Sequence, residues 1–122
     1  MKILIVDDEP NIVMPLEFLM RRQGYDVRVA GDGEEALEAV AAFGPDLVLL
    51  DVMLPRRSGY EVCQLLRQRP EWQHIKVVML TAKGRDVEVA KGRAMGADAY
   101  VTKPFSSREL VDQVERLLAK PR

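Results

Sequence analysis

The 122-residue sequence has too few residues of some types to support several classes of function. Its one cysteine, Cys63, excludes an internal disulfide framework and a metal site built from cysteines, and we expect a small buried side chain there. Its 18 lysines and arginines are balanced by 19 aspartates and glutamates, for a net charge of −1. This balance provides no basic surface for nonspecific binding of nucleic acid.

Long apolar runs are also missing. The amino-terminal stretch MKILIVDDEP has one lysine and only four consecutive apolar residues before two acids, far short of a signal peptide or a membrane span. We therefore expect a cytoplasmic protein with no membrane contact. Because no repeat, low-complexity stretch or linker interrupts the 122 residues, we predict a single domain over residues 1–122.

Short apolar segments are present, and they alternate between two types along the chain. Continuous apolar runs, most of them rich in β-branched residues and bounded by Gly, Pro or Asp, predict strands at 3–6, 27–30, 47–50, 77–80 and 99–101. Runs that are this uniformly apolar are typical of a parallel sheet covered on both faces.

Helical patterns lie between these strands. Apolar side chains at helical spacing and two Ser-x-x-Glu capping boxes predict helices around 12–20, 37–41, 58–66 and 106–118, and a weaker one at roughly 85–95. The weaker helix has a thin apolar stripe, so we expect it to move at little cost. Pro15 lies inside the first pattern and predicts a kink or a late start.

Five strands alternating with five helices indicate a (βα)5 chain. Right-handed crossovers leave few arrangements for such a sheet, and we predict the flavodoxin-like, doubly wound parallel order 2-1-3-4-5. In sheets of this kind, ligands bind at the carboxyl ends of the strands, near the point where the strand order reverses. The predicted site therefore lies between the first and third strands.

Polar side chains follow the predicted strands at this edge: Asp7 and Asp8 after the first, Asp51 after the third, Thr81 after the fourth and Lys103 after the fifth. Three carboxylates within several ångströms would repel by roughly 3 to 4 kcal/mol per pair at an effective dielectric constant near 20. Oxygen ligands without nearby histidine or cysteine favour Mg²⁺ as the compensating ion. With Thr81 and Lys103, such an ion would complete a site for a phosphoryl group.

Each of these residues also has a simpler explanation. The acids of DDEP could complement the positive end of a helix dipole, Thr81 could be a helix cap, and Lys103 could be solvated. Asp51 has three alternatives: it caps a helix, it is a structural acid held by a partner, or it does chemistry. The joint placement of these residues at strand ends favours chemistry.

Four motifs carry a family resemblance over nearly the whole chain. VDDE follows the first strand, LLDVMLPRRSG surrounds the end of the third, MLTA ends the fourth and YVTKPF ends the fifth. In these motifs the chain resembles the receiver domain of two-component system response regulators, the CheY-like domain. The resemblance implies a phospho-accepting signalling switch that catalyses only its own phosphorylation and dephosphorylation and is not otherwise an enzyme.

The resemblance assigns roles to the acids. It implies that Asp51 accepts a phosphoryl group from a sensor histidine kinase or a phosphotransfer protein. Asp8 and Asp51 would bind Mg²⁺ directly, Asp7 would bind it through water, and the backbone carbonyl of Met53 would be a further ligand. Because Met53 is apolar and cannot orient an attacking water, we expect slow self-dephosphorylation.

The resemblance also implies how the signal leaves the site. Lys103 and Thr81 would contact the phosphoryl oxygens, and a cis peptide bond would precede Pro104. Thr81 would then move and Tyr100 would turn inward, which shifts an output face formed by the fourth helix, fifth strand and fifth helix. Tyr100 could instead be a half-buried strand aromatic, and Phe105 is expected in the core.

That output face would contact a downstream output domain or target protein. Relatives that regulate transcription often dimerise there through salt bridges, and Lys91, Glu109 and Asp98 match the pairing positions. Ala99 and Gln113 replace the usual second acid and the usual arginine, which weakens the case for a phosphorylation-dependent homodimer. The 122 residues contain no output domain, so we expect a stand-alone receiver or one excised from a DNA-binding regulator.

Three other functions fit parts of the pattern. A haloacid-dehalogenase-like phosphohydrolase would use a similar strand-end aspartate, but it would place a second aspartate where Met53 stands. A flavin or nucleotide module has little support, because no glycine-rich phosphate loop follows the first strand. A degenerate receiver that only binds proteins would not need the complete acidic set. His74 is expected at the surface and not as a phosphorelay histidine.

Overall fold

A computed structural model describes residues 1–82, 90 and 94–120 of the chain. Five strands lie in this part: β1 Lys2–Val6, β2 Asp26–Ala30, β3 Leu47–Asp51, β4 Lys76–Ala82 and β5 Ala99–Lys103. The same part contains four α-helices and a 3₁₀ helix: α1 Pro10–Arg22, α2 Gly33–Phe43, α3 Gly59–Gln68, the 3₁₀ helix Pro70–Trp72 and α4 Ser107–Ala119. The helix predicted at roughly 85–95 falls largely outside the described residues.

The five strands form one parallel sheet in the order β2-β1-β3-β4-β5, as the sequence predicts. β1 lies between β2 and β3, since Val6 pairs with Ala30 on one side and with Leu50 on the other. β3 also pairs with β4, where Asp51 is opposite Leu80. The carboxyl ends of the strands therefore meet at one edge, which we call the carboxyl edge.

Helices cover both faces of the sheet. α2 and α3 form one core with Val48 and Leu50 of β3, while α1 and α4 form the other. Leu47 and Leu49 enter that second core, and all four residues of the run are fully buried. This confirms that β3 is buried on both faces. Within the described ranges, no helix combines the length and apolar composition needed to cross a membrane.

Helices α2, α3 and α4 each begin at a side-chain cap. The Asp32 carboxylate accepts a hydrogen bond from the Glu35 amide at 2.8 Å. The hydroxyls of Ser58 and Ser106 accept from the amides three residues later, at 3.3 and 3.0 Å. Each cap supplies a partner to an amide that the first turn leaves unpaired. The two serine caps are those that the sequence predicts.

Helix α1 runs through Pro15 without interruption, from Pro10 to Arg22. The late start predicted from Pro15 is therefore wrong. The first turn closes ahead of this proline, because the Glu9 carbonyl accepts hydrogen bonds from the amides at positions 12 and 13, each at 2.9 Å. Pro15 removes its own amide donor, and the remaining turns of the 13-residue helix tolerate that loss.

Three single residues lie close to where the sequence predicts them. Cys63 is fully buried in the core formed by α2 and α3. His74 is exposed ahead of β4, as expected for a surface residue. Phe105, which we expected in the core, is half-buried and packs against the core of α1 and α4. None of these three side chains lies in a strand of the sheet.

Candidate functional site

Three carboxylates meet at the carboxyl edge, and we call them the acidic cluster. Asp7 and Asp8 follow β1, and Asp51 ends the neighbouring strand β3. One oxygen from each of the three lies within 4.8 Å of the others. Asp7 and Asp51 are 1% and 5% exposed, whereas Asp8 is open to solvent. The sheet order therefore brings together acids that are distant in the sequence.

The acidic cluster fits a hard divalent cation. Its ligand atoms are all carboxylate oxygens, and hard ions such as Mg²⁺ prefer oxygen ligands while retaining several waters. The exposure of Asp8 leaves one side of the cluster accessible to water. The three acids that were expected to hold Mg²⁺ are therefore arranged suitably for this ion.

Lys103, the last residue of β5, lies against two of these acids. Its ammonium donates to Asp7 Oδ2 at 3.1 Å and lies 3.4 Å from Asp51 Oδ1. Burial by itself lowers the pKa of Lys103, but the charges of Asp51 and Asp7 outweigh burial, and the pKa is raised overall. Lys103 therefore remains a cation that offsets part of the negative charge, and it is not the solvated surface lysine of the simpler explanation.

The Asp51 carboxyl lies in an environment that disfavours its ionised form. Burial raises its pKa, the charge of Asp7 raises it further, and the resulting pKa is about 6. Lys103 and the Met53 amide, which donates to Asp51 Oδ1 at 3.3 Å, act in the opposite direction. Asp51 is therefore ionised near neutral pH but poorly solvated and basic for a carboxylate, and these properties suit a nucleophile.

The strands extend further than the sequence predicts. Asp51 and Lys103 are the last residues of β3 and β5, and Thr81 is the next to last of β4, whereas we expected all three just past their strands. Pairing continues to the carboxyl edge, where the Val52 amide donates to the Leu80 carbonyl at 3.2 Å. The three side chains are therefore held by paired backbone and not by loops.

Thr81 and Tyr100 lie on the same face of the sheet. Thr81 is 3% exposed. Tyr100 pairs with Met79, which alternation along β4 places on the same face as Thr81. The half-buried ring of Tyr100 packs against the core of α2 and α3. The two predicted switch residues are therefore on adjacent strands.

The cis peptide bond that the resemblance implies is present between Lys103 and Pro104.

The backbone of Asp51 is closely packed against the start of α3. A Cβ atom on Gly59 would overlap the Asp51 carbonyl oxygen and would lie 3.0 Å from Val52 Cα. The Gly59 amide donates to the Val52 carbonyl at 2.9 Å, which holds the two segments together. Only glycine fits at this position. The sequence contains Gly59 as part of a motif but does not show this close approach.

Asp98, one of the predicted pairing positions of a homodimer, is engaged within the chain. Its carboxylate accepts hydrogen bonds from Arg67 Nη2 and from the Val77 amide, each at 2.8 Å. The Arg67–Asp98 ion pair joins α3 to the segment before β5, and its side chains are only 12% and 16% exposed. Sequence patterns missed this pair, because helical periodicity contains no information about a partner 31 positions away.

The five-stranded parallel sheet, with an acidic cluster and a lysine at its carboxyl edge, is the arrangement of a receiver-type domain. The chain matches the response regulator receiver domain family over residues 3–115. It therefore belongs to the response regulator receiver domain family. This agrees with the resemblance that the four sequence motifs carry.

Solved structures give the same result. A protein of Chloroflexus aurantiacus J-10-fl, assigned as a response regulator, is 40% identical, with 98% of each chain covered and a TM-score of 0.94. The BeF3-activated N-terminal receiver domain of Klebsiella pneumoniae RstA is 32% identical, with 98% of this chain and 100% of that chain covered and a TM-score of 0.91. A sensor histidine kinase receiver domain from Pseudomonas aeruginosa PAO1, with magnesium coordinated in its active site cleft, is 27% identical, with 98% of each chain covered and a TM-score of 0.90.

Proposed function

We propose that this receiver domain is a phospho-accepting switch of a two-component system, with Asp51 as the acceptor and residues 1–122 as a single domain. One observation carries the proposal: the buried Asp51 carboxylate lies in the acidic cluster and 3.4 Å from the Lys103 ammonium. Family membership supports the class of function, and this geometry supports the choice of acceptor. The domain would catalyse only its own phosphorylation and dephosphorylation.

In the proposed transfer, an Asp51 oxygen attacks the phosphorus atom of the donor. A bond forms between that oxygen and phosphorus while the phosphorus–nitrogen bond of a phosphohistidine breaks, and the leaving imidazole nitrogen takes up a proton from water. Lys103 stabilises the negative charge of the phosphoryl oxygens, and the Thr81 hydroxyl donates to one of them. The low exposure of the site makes both contacts stronger than they would be in water.

Mg²⁺ is part of the proposal. Asp8 and Asp51 would hold the ion directly, Asp7 would hold it through water, and the Met53 carbonyl would be a further ligand. When bound, the ion neutralises charge on the transferring phosphoryl group. The spacing of the acidic cluster supports this assignment, as does the magnesium in the receiver domain from Pseudomonas aeruginosa.

The proposed output of the switch runs through Thr81 and Tyr100. Once a phosphoryl group is present on Asp51, Thr81 moves toward it, and Tyr100 turns inward on the same sheet face. This shifts the face formed by β5, α4 and the helix predicted at roughly 85–95. A depression of about 530 Å³, lined in part by Tyr100, Pro104 and Glu109, lies between β5 and α4 and supports this face as a docking surface.

The proposed partners follow from this scheme. A sensor histidine kinase or a phosphotransfer protein donates the phosphoryl group, and an output domain or target protein binds the shifted face. We also propose a cytoplasmic location for this exchange. A phosphorylation-dependent homodimer on the same face has less support, because Asp98 already pairs with Arg67 within the chain.

Treatment with acetyl phosphate and Mg²⁺ tests the function. Intact-mass spectrometry should show one added phosphoryl group on the native protein and none on Asp51→Asn. Asp26→Asn is a matched control, since Asp26 is an exposed acid at the start of β2, and it should be modified normally. An unchanged mass of the native protein would overturn the proposal. Sustained hydrolysis of a generic phosphate ester would instead favour a phosphohydrolase.

A further inference from the structure

Arg56, in the loop after Asp51, has an unusual backbone conformation. Its φ is +70°, and among the residues that the structure describes it is the one non-glycine residue with a positive φ. The left-handed region is sterically unfavourable for a residue with a Cβ atom. Such conformations persist where the surroundings require them, and they are concentrated at functional sites.

The Arg56 side chain is 71% exposed, and its Nε lies 3.3 Å from Asp32 Oδ2. Asp32 follows β2 and Arg56 follows β3, while β1 lies between these two strands. The ion pair therefore crosses the carboxyl edge beside the end of β1, where Asp7 and Asp8 begin the next loop. An exposed cation is thus present at the same edge of the sheet as the acidic cluster.

Asp32 is the partner of this cation in the absence of a donor. Its Oδ1 accepts from the Glu35 amide at 2.8 Å as the cap of α2, so the helix fixes the orientation of the carboxylate, while Oδ2 pairs with Arg56. An ion pair this exposed is weak. A phosphoryl group can accept two hydrogen bonds from one guanidinium and can therefore replace Asp32 as the partner of Arg56.

An approaching phosphodonor carries negative charge and meets the acidic cluster. Lys103, the cation beside this cluster, is already shared between two acids. We propose that Arg56 is a phosphodonor-binding residue: its guanidinium attracts the anionic phosphoryl group of the donor toward Asp51, and Asp32 is the partner that Arg56 releases when the donor binds. The inference rests on the proposed function of Asp51 and extends it to recognition of the donor. The shared chemistry is the phosphoryl anion of small phosphodonors and of phosphohistidine.

Initial rates of phosphorylation with acetyl phosphate and saturating Mg²⁺, measured by intact mass, test the role of Arg56. We expect Arg56→Gln to lower the rate about threefold at low ionic strength, and the difference to vanish near about 0.5 M salt, because salt screens the attraction. Arg56→Lys keeps the charge but loses the paired hydrogen bonds of the guanidinium, so it should retain part of the rate. Phosphoramidate carries less negative charge near neutral pH and has the phosphorus–nitrogen bond of phosphohistidine, so Arg56→Gln should have a smaller effect with it.

Two further variants separate this role from a general effect of mutation. In Asp32→Asn the side chain can still cap α2, but the competing charge is gone, so we expect the rate to rise about twofold. Arg69→Gln is the matched control. Arg69 is also an exposed arginine, 3.7 Å from Glu71, but it follows α3 at the opposite edge of the sheet, so its loss should leave the rate unchanged.

The outcomes distinguish the inference from the proposed function. Equal rates for the native protein and Arg56→Gln at low salt, with Asp51 phosphorylated in both, would overturn the inference alone. A deficit of Arg56→Gln that persists at high salt would show an effect on the structure of the loop, and it would overturn the inference as well. Absence of phosphorylation in the native protein would overturn the proposed function itself.

Discussion

The Lys103 ammonium lies 3.4 Å from Asp51 Oδ1, which places a largely buried cation against the proposed phosphoryl acceptor. The same ammonium donates to Asp7 at 3.1 Å, so one cation is shared between two buried acids. Asp51 is therefore incompletely neutralised, in agreement with its pKa of about 6. This excess of negative charge has measurable consequences for stability and for ion binding.

Asp51→Asn should stabilise the metal-free protein near neutral pH. The pKa of Asp51 is about 6 in the folded protein against an ordinary value of 3.8, so the folded protein binds the proton more tightly than the unfolded chain does. The free energy of unfolding therefore falls as the pH rises from 3.8, where the unfolded chain ionises, to about 6, where the folded protein does, and asparagine removes this loss. We expect a gain on the order of 2 kcal/mol at about pH 7 and little gain near about pH 4, by urea denaturation in EDTA. An equal gain at both pH values would contradict this origin.

Lys103→Met should have opposite effects on Mg²⁺ binding and on phosphorylation. Removing the cation leaves the acidic cluster more negative, so calorimetry should show Mg²⁺ binding about tenfold more tightly. Phosphorylation by acetyl phosphate should fall about 100-fold, because the phosphoryl oxygens lose a charged partner. Lys120→Met, at the exposed end of α4, is the charge-matched control and should change neither quantity. Weaker Mg²⁺ binding by Lys103→Met would contradict the electrostatic account.

Gly59→Ala should destabilise the protein strongly. The added methyl group would overlap the Asp51 carbonyl oxygen, and backbone on both sides of the contact must move. We expect the free energy of unfolding to fall by about 2 kcal/mol or more in chemical denaturation. In Gly31→Ala the new Cβ would lie 3.6 Å from Glu35 Oε2, an ordinary contact, so the loss should stay within about 0.5 kcal/mol. Similar losses in the two variants would show that close packing at Gly59 is not the cause.

Met53 should make the phosphorylated state long-lived. Its side chain is 70% exposed beside Asp51 and has no group that can orient an attacking water. After removal of the donor, intact-mass measurements should show the acyl phosphate persisting for minutes or longer, and Met53→Gln should shorten its lifetime about tenfold. Met14→Gln changes an equally exposed methionine on α1 and should leave the lifetime unchanged. Decay of the native acyl phosphate within seconds would refute the prediction.

Most of the fold could be predicted from local patterns. The strand runs and the caps at Ser58 and Ser106 depend on residues a few positions apart, so the sequence contains the information directly. The strand order was also predictable, because crossover handedness leaves few alternatives for five parallel strands. The predicted ends of β3, β4 and β5 were less accurate than the rest of the fold. A strand ends where its neighbour stops pairing with it, and not where its own apolar run stops.

The sequence by itself determined which chemical groups the site contains, because the acids, the threonine and the lysine follow or end strands that must meet at one edge. The tertiary structure decided how those groups interact. The Arg56–Asp32 and Arg67–Asp98 pairs, the closeness of Lys103 to Asp51 and the raised pKa of Asp51 all depend on which elements are neighbours. The physical reason is that Coulomb energy and desolvation depend on distance and exposure in three dimensions, not on separation along the chain.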